Sequence, residues 1–446
     1  MKNTLIIFLF TFALSANSQE KATNFSYSLE EAISHALTNN YTAINAERDI
    51  AAAKKKKWET TAAGLPQINA SLDFQNNIEL QKSLIPAEFF GGNPGEFAEV
   101  AFGTKNNMNA RSTLSQLIFD GSYIVALQAS KTYLKFYQNA KQKTATDIKE
   151  MVINAYGNVL LAEESIAILE KNKAILDKTL FETTEIYKNG LIEEENVEQL
   201  QITLSSVKSN LNNTKRLLEI SSKMLKITLG IPIDANLKLT DKLDKLTMTN
   251  LDTSFSQNDF AVEKNINYQM ALNFQEQRLL EYKLQKSKAL PTLSASANFG
   301  YNAFGNEFQF FTTNQKWLNY SNIGVNLNIP IFSSLARSAR TQQAKIAYEK
   351  AKTNLFETSQ KLQLQYDNAK SQYEFSIEEY ATAKTNLNLA ERIEKKQQIK
   401  FTEGLSSSFD FSEAQRQLYS AQQNYLQSMV NIINKKAALE KIITTK

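Results

Sequence analysis

The chain has 446 residues, of which 50 are Lys or Arg and 46 are Asp or Glu, with one His, no Cys and a net charge of +4. The absence of Cys excludes disulfides and Cys-based metal sites, and the single His35 leaves a Ser-His-Asp triad or a His-rich metal site without partners, so we predict no enzyme, no metal and no cofactor. Because acids and bases are mixed along the chain, we also predict no nucleic-acid partner.

Residues 1–18 have the composition of a cleavable export signal. Lys2 supplies a positive start, Leu5 to Leu14 an apolar run, and Ala16-Asn17-Ser18 a small-x-small cleavage site. A transmembrane helix needs roughly 20 apolar residues, about twice this run. We therefore predict an exported protein without a membrane-spanning helix in its mature form.

A basic cluster, Lys54 to Lys57, follows an alanine run in a helical context. It could contact phosphate or lipid headgroups. The alternative is a solvated helix face, because a basic run without interleaved aromatic residues is a weak binding signal. The sequence alone leaves both interpretations open.

Four segments of the chain alternate apolar and polar residues, as half-buried strands do. They begin near Ile68, Met108, Leu293 and Ile323, and each has the length of a tilted transmembrane β-strand. The segments 81–106 and 302–316 between paired strands are the longer loops expected outside the cell. Trp317 and Tyr320 are candidate membrane-interface aromatics. A soluble sheet would show the same alternation.

Helical periodicity is strongest after each pair of strands. Apolar residues recur at spacings of 3 and 4 from Ile148 to Leu169, and the same phase returns 214 residues later from Leu362 to Ala383. Each of these stretches predicts one helix of about 68 residues and about 100 Å. Gly190 and Gly404 then predict helix ends, after which each long helix returns antiparallel through a shorter partner.

The chain is therefore internally duplicated. Leu65-Pro66-Gln67-Ile68 resembles Leu290-Pro291-Thr292-Leu293 at a separation of 225 residues, and Asn189-Gly190-Leu191 resembles Glu403-Gly404-Leu405 at 214. Four strands are too few to close a barrel, and a membrane sheet cannot leave its edges unpaired in hydrocarbon. We therefore expect two, three or four copies of the chain to complete one barrel.

These features together resemble the TolC-like outer-membrane efflux proteins. The resemblance rests on Ser28-Leu29-Glu30-Glu31-Ala32 before the first helix, on Leu65-Pro66, on Pro330-Ile331-Phe332 and on the two glycine hairpins, in this order. It implies a mainly α fold with a β-barrel portion: four strands per chain in a shared trimeric 12-stranded barrel, and antiparallel coiled-coil helices in a periplasmic α-barrel. It also implies a homotrimer in outer-membrane lipid that works with a periplasmic adaptor and an inner-membrane transporter of the RND or ABC type.

The resemblance also implies two kinds of site. Adaptor contacts would fall on Gly190 and Leu191 and on Gly404 and Leu405, although these glycines could equally serve only to turn the chain. Asp410 and Glu413 would form an acidic ring at a periplasmic gate, and the alternative is an acid that complements the dipole at a helix N-terminus.

The predicted function is the exit duct of a tripartite efflux or type I secretion system. A periplasmic coiled-coil adaptor or scaffold without a barrel is the main alternative, and an exported carboxylate-based hydrolase, which needs only an acid pair, is a remote one. The expected segments are the signal (1–18), first N-terminal helices (19–66), first strand pair (67–119), first long hairpin (120–229), linker (230–257), second N-terminal helix (258–291), second strand pair (292–332) and second long hairpin (333–446).

Overall fold

The computed structural model describes residues 24–252 and 260–443. The predicted signal, residues 1–18, lies outside the described residues. The helices are α1 (Leu29–Asn39), α2 (Tyr41–Ala62), α3 (Gly121–Lys188), α4 (Glu194–Leu229), α5 (Leu243–Asn250), α6 (Ile266–Ser287), α7 (Ala336–Thr402) and α8 (Ser408–Ile443). The strands are β1 (Asn24–Tyr27), β2 (Gln67–Asn76), β3 (Lys82–Pro86), β4 (Phe97–Ala101), β5 (Asn106–Asp120), β6 (Asn236–Leu239), β7 (Thr292–Gly305) and β8 (Trp317–Asn328).

The predicted duplication is confirmed by the lengths of the corresponding helices. Helices α2 and α6 have 22 residues each, α3 and α7 have 68 and 67, and α4 and α8 have 36 each. Ser28 begins α1 with a reciprocal capping box, in which its hydroxyl accepts from the Glu31 amide and the Glu31 carboxylate accepts from the Ser28 amide. The described chain is thus mainly α, as predicted.

The chain divides into two compact units, each built from both halves of the duplication. The helical unit comprises Met1–Ala43, Ala145–Asn258 and Asn368–Lys441, and the sheet unit comprises Ile44–Thr144, Asp259–Asp367 and Ile442–Lys446. Both long helices, α3 and α7, contribute residues to each unit.

The sheet unit contains a four-stranded antiparallel sheet in the order β2-β5-β7-β8. The register places Ile68 opposite Leu114, Leu114 opposite Ala297 and Ala297 opposite Ile323. The four predicted strands are therefore present and aligned, with a register shift between Leu117 and Phe119. Strand β7 runs to Gly305, so the loop predicted to begin at Asn302 begins later than expected. Strands β2 and β8 form the two edges of this sheet.

Two short strand pairs were not predicted. In the helical unit, β1 pairs in parallel with β6, and Leu29 donates its amide hydrogen to Asp241 Oδ2 at 2.7 Å. In the sheet unit, β3 and β4 form a small hairpin within the first predicted loop. Strands of four or five residues are too short to produce a clear alternation, so periodicity does not reveal them.

The core of the helical unit follows the predicted heptad positions. Ile148, Val152 and Leu169 are fully buried on α3, as is Tyr373 on α7. Phe401 and Phe411 stack with ring centroids 5.5 Å apart. One buried cluster joins α3, α4 and α8 through Leu169, Leu176, Leu200, Leu204, Val207, Leu211 and Phe411. Burial of apolar side chains thus holds the two long hairpins together within this unit.

Within the described ranges, α3 is the one helix long and apolar enough to cross a membrane by length and composition. Half of its most apolar stretch is buried inside the protein, as in the core helix of a helical unit. Packing therefore accounts for its apolar character.

We expect Leu200→Ala to destabilise the helical unit by about 2–5 kcal/mol, because Leu200 is fully buried and truncation leaves a cavity. The change would be measured as faster native-state hydrogen exchange in α4. Leu191→Ala is the matched control, since Leu191 is 75% exposed and its loss should change stability by less than about 0.5 kcal/mol. Equal effects of the two variants would contradict the packing assigned to Leu200.

Candidate functional site

The long helices of the helical unit end in matching glycine turns. Gly190 has φ of 74° and Gly404 has φ of 70°. In the first turn the Leu191 amide donates to the Ile186 carbonyl at 3.3 Å, and in the second the Leu405 amide donates to the Lys400 carbonyl at 2.7 Å. This is the Schellman pattern, in which a left-handed residue satisfies the last carbonyls of a helix. The predicted helix-ending role of both glycines is confirmed.

The residues after these glycines are apolar and accessible. Leu191 is 75% exposed and Leu405 is 78% exposed. A Cβ added at either glycine would meet no atom within 4 Å, so the space around the tips is open. The four tip residues predicted to contact an adaptor are thus available for a partner, and the contact itself stays a prediction.

Asp410 lies at the start of α8 and closes a capping box with Ser407. Its carboxylate accepts hydrogen bonds from the Ser407 hydroxyl at 2.8 Å, the Ser407 amide at 3.4 Å and the Ser406 hydroxyl at 3.2 Å. The Asp410 amide donates to the Ser407 hydroxyl at 3.1 Å. These hydrogen bonds, first among them the one from the Ser407 hydroxyl, lower the pKa of Asp410. The helix-capping interpretation therefore describes the local role of Asp410.

Glu413 lies one turn further along α8 and also has local partners. Its carboxylate accepts from the Arg416 guanidinium and from the Gln417 amide group, the latter at 3.3 Å. The Arg416 charge offsets that of Glu413, so Asp410 is the less compensated of the two predicted ring acids. Their role in a ring stays a prediction.

The two hairpins contact each other through polar residues that sequence analysis missed. The Ser408 amide donates to Asn196 Oδ1 at 3.3 Å, and Asn172 donates to Gln422 Oε1 at 2.8 Å. Glu394, only 8% exposed, accepts a hydrogen bond from Gln415, and burial raises the pKa of Glu394. Because Lys395 and Lys396 follow Glu394, its sequence surroundings look solvated and give no sign of this burial.

The sheet has one polar face and one apolar face. On the polar face, Thr113 donates to Asn298 at 2.7 Å and Asn298 donates to Asn322 at 2.9 Å, which makes a row across three strands. On the apolar face, Ile68 is 74% exposed and Ile323 is 84% exposed. The predicted alternation is therefore present in three dimensions, and the apolar side chains are left without protein contacts that bury them.

Trp317 and Tyr320 lie on opposite faces of β8. Trp317 pairs with Ala303 and packs on the apolar cluster that contains Met108 and Phe310. Tyr320 pairs with Gly300 on the polar face, where Asn109 donates to its hydroxyl at 3.3 Å. The two rings therefore cannot contact lipid from the same side of the sheet. Their membrane-interface roles stay predictions, and the apolar face favours Trp317.

Neither unit shows the residues of a metal or catalytic centre in its described part. Between residues 24 and 443, apart from 253–259, no group of three or more His, Asp and Glu side chains is placed to bind a metal. The distinctive geometry is instead an apolar sheet surface and a pair of exposed hairpin tips.

Comparisons with known proteins agree with this geometry. Residues 249–445 match the family model described as outer membrane efflux protein. A curated relative, outer membrane protein TolC of Vibrio cholerae, is 22% identical over 312 residues, which cover 70% of this chain and 66% of the relative, slightly under two thirds of its length.

Solved structures share the fold over almost the whole chain. The Campylobacter jejuni CmeC outer membrane channel has a TM-score of 0.74 at 18% identity, covering 93% of this chain and 85% of that one. CusC has a TM-score of 0.75 at 16% identity, covering 98% and 96%. The open MtrE outer membrane channel of Neisseria gonorrhoeae has a TM-score of 0.68 at 15% identity, covering 93% and 88%.

The capping box makes a prediction about pH. Because hydrogen bonds lower the pKa of Asp410, the cap is fully present above the ordinary Asp range and is lost as pH falls through the lowered value. Ser407→Ala should raise the pKa of Asp410 towards its ordinary value, measured by ¹³C NMR of labelled carboxyl groups. Ser420→Ala, an exposed serine on the same helix, should leave it unchanged. No shift with Ser407→Ala would contradict the assigned hydrogen bonds.

Proposed function

We propose that this chain, a TolC-like outer-membrane efflux protein by its family match and its fold, is one of three identical parts of an outer-membrane exit duct. The duct passes solutes from an inner-membrane transporter and its periplasmic adaptor to the outside, in a tripartite efflux or type I secretion system. The observation that supports this most directly is the sheet with one exposed apolar face and one polar face.

The apolar face fits a bilayer better than water. Exposed Ile68, Ile323 and Val325, the last 67% exposed, lie in rows along β2 and β8. Leaving such a surface in water costs roughly 25 cal/mol per Å² of apolar area, and burial in lipid removes that cost. The opposite face, with its Asn and Thr hydrogen bonds, is suited to a hydrated lumen.

The edges of the sheet require neighbouring copies. Strand β2 pairs only with β5, and β8 only with β7, in the described sheet. In hydrocarbon each unpaired backbone group costs several kcal/mol, so β2 of one copy must pair with β8 of the next. Three copies of four strands give the 12-stranded barrel that the family resemblance implies.

The helical hairpins provide the remaining functional surfaces. We propose that Gly190, Leu191, Gly404 and Leu405 contact the periplasmic adaptor, since both leucines are exposed where the chain turns. We also propose that Asp410, with a smaller contribution from Glu413, forms an acidic ring when three copies assemble. Capping and ring formation are compatible because the Asp410 side chain remains exposed while it accepts from Ser407.

A soluble periplasmic adaptor or scaffold would share the long hairpins. It would not need a sheet that leaves large aliphatic side chains exposed along one face, so the sheet favours the channel. Transport through a duct requires no covalent chemistry, and the energy would come from the inner-membrane transporter.

Cysteine cross-linking tests the assembly directly, because the chain contains no native Cys. Asn322→Cys on β8 would be combined in turn with cysteines at alternate polar-face positions of β2: Asn69, Ser71, Asp73 and Gln75. We expect at least one pair to give a covalent trimer on oxidation in outer-membrane fractions. Asn322→Cys alone is the control and should stay monomeric on denaturing gels. Monomers for every pair, with the protein in the soluble periplasmic fraction, would contradict the proposed function.

Planar bilayers test the acidic ring. We expect Asp410→Asn to weaken block by multivalent cations about tenfold or more, because three charges leave the constriction while the amide oxygen can still accept from Ser407. Glu413→Gln should weaken block less, since Arg416 already offsets the charge of Glu413. Unchanged block in Asp410→Asn would remove this residue from the gate without affecting the barrel.

A further inference from the structure

The basic cluster Lys54 to Lys57 lies on α2, beside two cavities of the sheet unit. The first, of about 430 Å³, lies among α2, α3 and α6, and its walls include Val125, Ala126, Ala129, Leu280 and Leu284. The second, of about 610 Å³, lies between α2 and α3, and its walls include Asp49, Lys55, Trp58, Glu59 and Tyr137. Lys56 and Tyr133 line both cavities, so an apolar cavity adjoins one with charged and aromatic walls.

The order of the cavities along the helices is defined by the strands. Helix α3 begins directly after β5, and Val125 of the apolar cavity lies five residues beyond Asp120, whereas Tyr137 of the charged cavity lies 17 residues beyond it. At 1.5 Å per residue, the centres of the two cavities differ by about 10 Å along α3. The apolar cavity is therefore the one closer to the sheet.

This polarity matches a phospholipid in the periplasmic leaflet of the outer membrane. Its acyl chains point towards the membrane-spanning strands and its headgroup points away from them. A lipid in the same orientation would place a chain segment against Val125 and Leu284 and its phosphate near Lys55 and Lys56. Ligand sites of this size, largely apolar with a few polar groups at one end, are typical of small amphiphiles.

The charges favour an anionic headgroup. Lys56 pairs with Glu59 at 2.8 Å, and in the described part of the chain Lys54, Lys55 and Lys57 make no ion pair within 4.0 Å. The acids that face the cavities are Asp49, Glu59 and Glu281, and Glu281 is paired with Arg278 at 2.6 Å. Four lysines against Asp49 and Glu59 leave this stretch of α2 positive.

Trp58 supports the same assignment. This indole lines the charged cavity and is 62% exposed, which is unusual for so large an apolar side chain without a partner. Tryptophan is enriched at the level of lipid headgroups, where its ring contacts apolar groups and its N–H remains hydrated. Basic residues beside an interfacial aromatic are a common arrangement for anionic lipid recognition.

We propose that these two cavities bind one anionic phospholipid of the periplasmic leaflet, with its phosphate on Lys55 and Lys56, its chain in the apolar cavity and its glycerol region against Trp58. The inference rests on the proposed outer-membrane function. It resolves the two interpretations of the basic cluster in favour of headgroup binding.

Fluorescence of Trp58 provides the test. The chain contains two Trp, so Trp317→Phe leaves Trp58 as the single fluorophore in the intact protein. This variant would be reconstituted into vesicles of phosphatidylcholine that contain either phosphatidylglycerol or phosphatidylcholine brominated in the acyl chains. Flotation with the vesicles and the migration of unheated trimer on gels would be checked first, so that failure of membrane insertion, which counts against the proposed function, is recognised separately.

We expect brominated phosphatidylglycerol to quench Trp58 at concentrations about tenfold lower than brominated phosphatidylcholine. Each lysine near an anionic surface contributes about fivefold in affinity, so Lys55→Gln with Lys56→Gln should remove most of this preference. Raising the salt to 1 M should also reduce it, because screening then acts within about 3 Å. Ala129→Leu, which fills part of the apolar cavity, should weaken quenching by both lipids.

The matched control is Lys131→Gln with Lys135→Gln, which removes the same charge from exposed positions on α3 that line neither cavity. This control should retain the preference for phosphatidylglycerol. Equal quenching by the two lipids, or equal losses in the two double variants, would overturn a specific site. Absence of quenching in protein that floats as an intact trimer would place Trp58 away from lipid and would also overturn it.

Discussion

The fold depends on one constraint: an open sheet edge cannot remain in hydrocarbon. The sheet β2-β5-β7-β8 leaves β2 and β8 without a second neighbour in the described chain, and its apolar face has no protein partner. Backbone pairing between copies satisfies both edges, and lipid covers the apolar face. The oligomer, the polar lumen and the position of the helices below the barrel all follow from this requirement.

The sequence predicts the regular parts of this fold well and the irregular parts poorly. A 3.6-residue period maintained over 67 or 68 residues determines a helix to within a few residues, because every turn repeats the same information. The four-residue strands β1 and β6 have no such redundancy. Between β8 and α7, Ser334 and Leu335 have φ of 48° and 65°, a left-handed conformation that neither residue type suggests.

The candidate sites differ in the same way. Gly190 and Gly404 were predictable because few residues other than glycine adopt a left-handed helix end without strain. The Ser407 partner of Asp410 is also visible in sequence as Ser-x-x-Asp before a helix, although the polar contact from Ser408 to Asn196 is not. Tyr320 needed the register, since its face on β8 depends on pairing with Gly300. The lipid site needed three helices that are distant in sequence.

The parallel pairing of β1 with β6 has a consequence for the order of folding. Asn24 lies opposite Asn236, so the first described residues wait for a strand more than 200 positions behind them, and β5 pairs with β7 over a similar distance. Contacts so far apart along the chain slow folding, because a long loop must close before any of them stabilises the structure. During export, the early segments therefore spend a long interval unpaired, with aliphatic strand faces uncovered. Such an interval calls for a periplasmic chaperone that shields the first half until the second has been delivered.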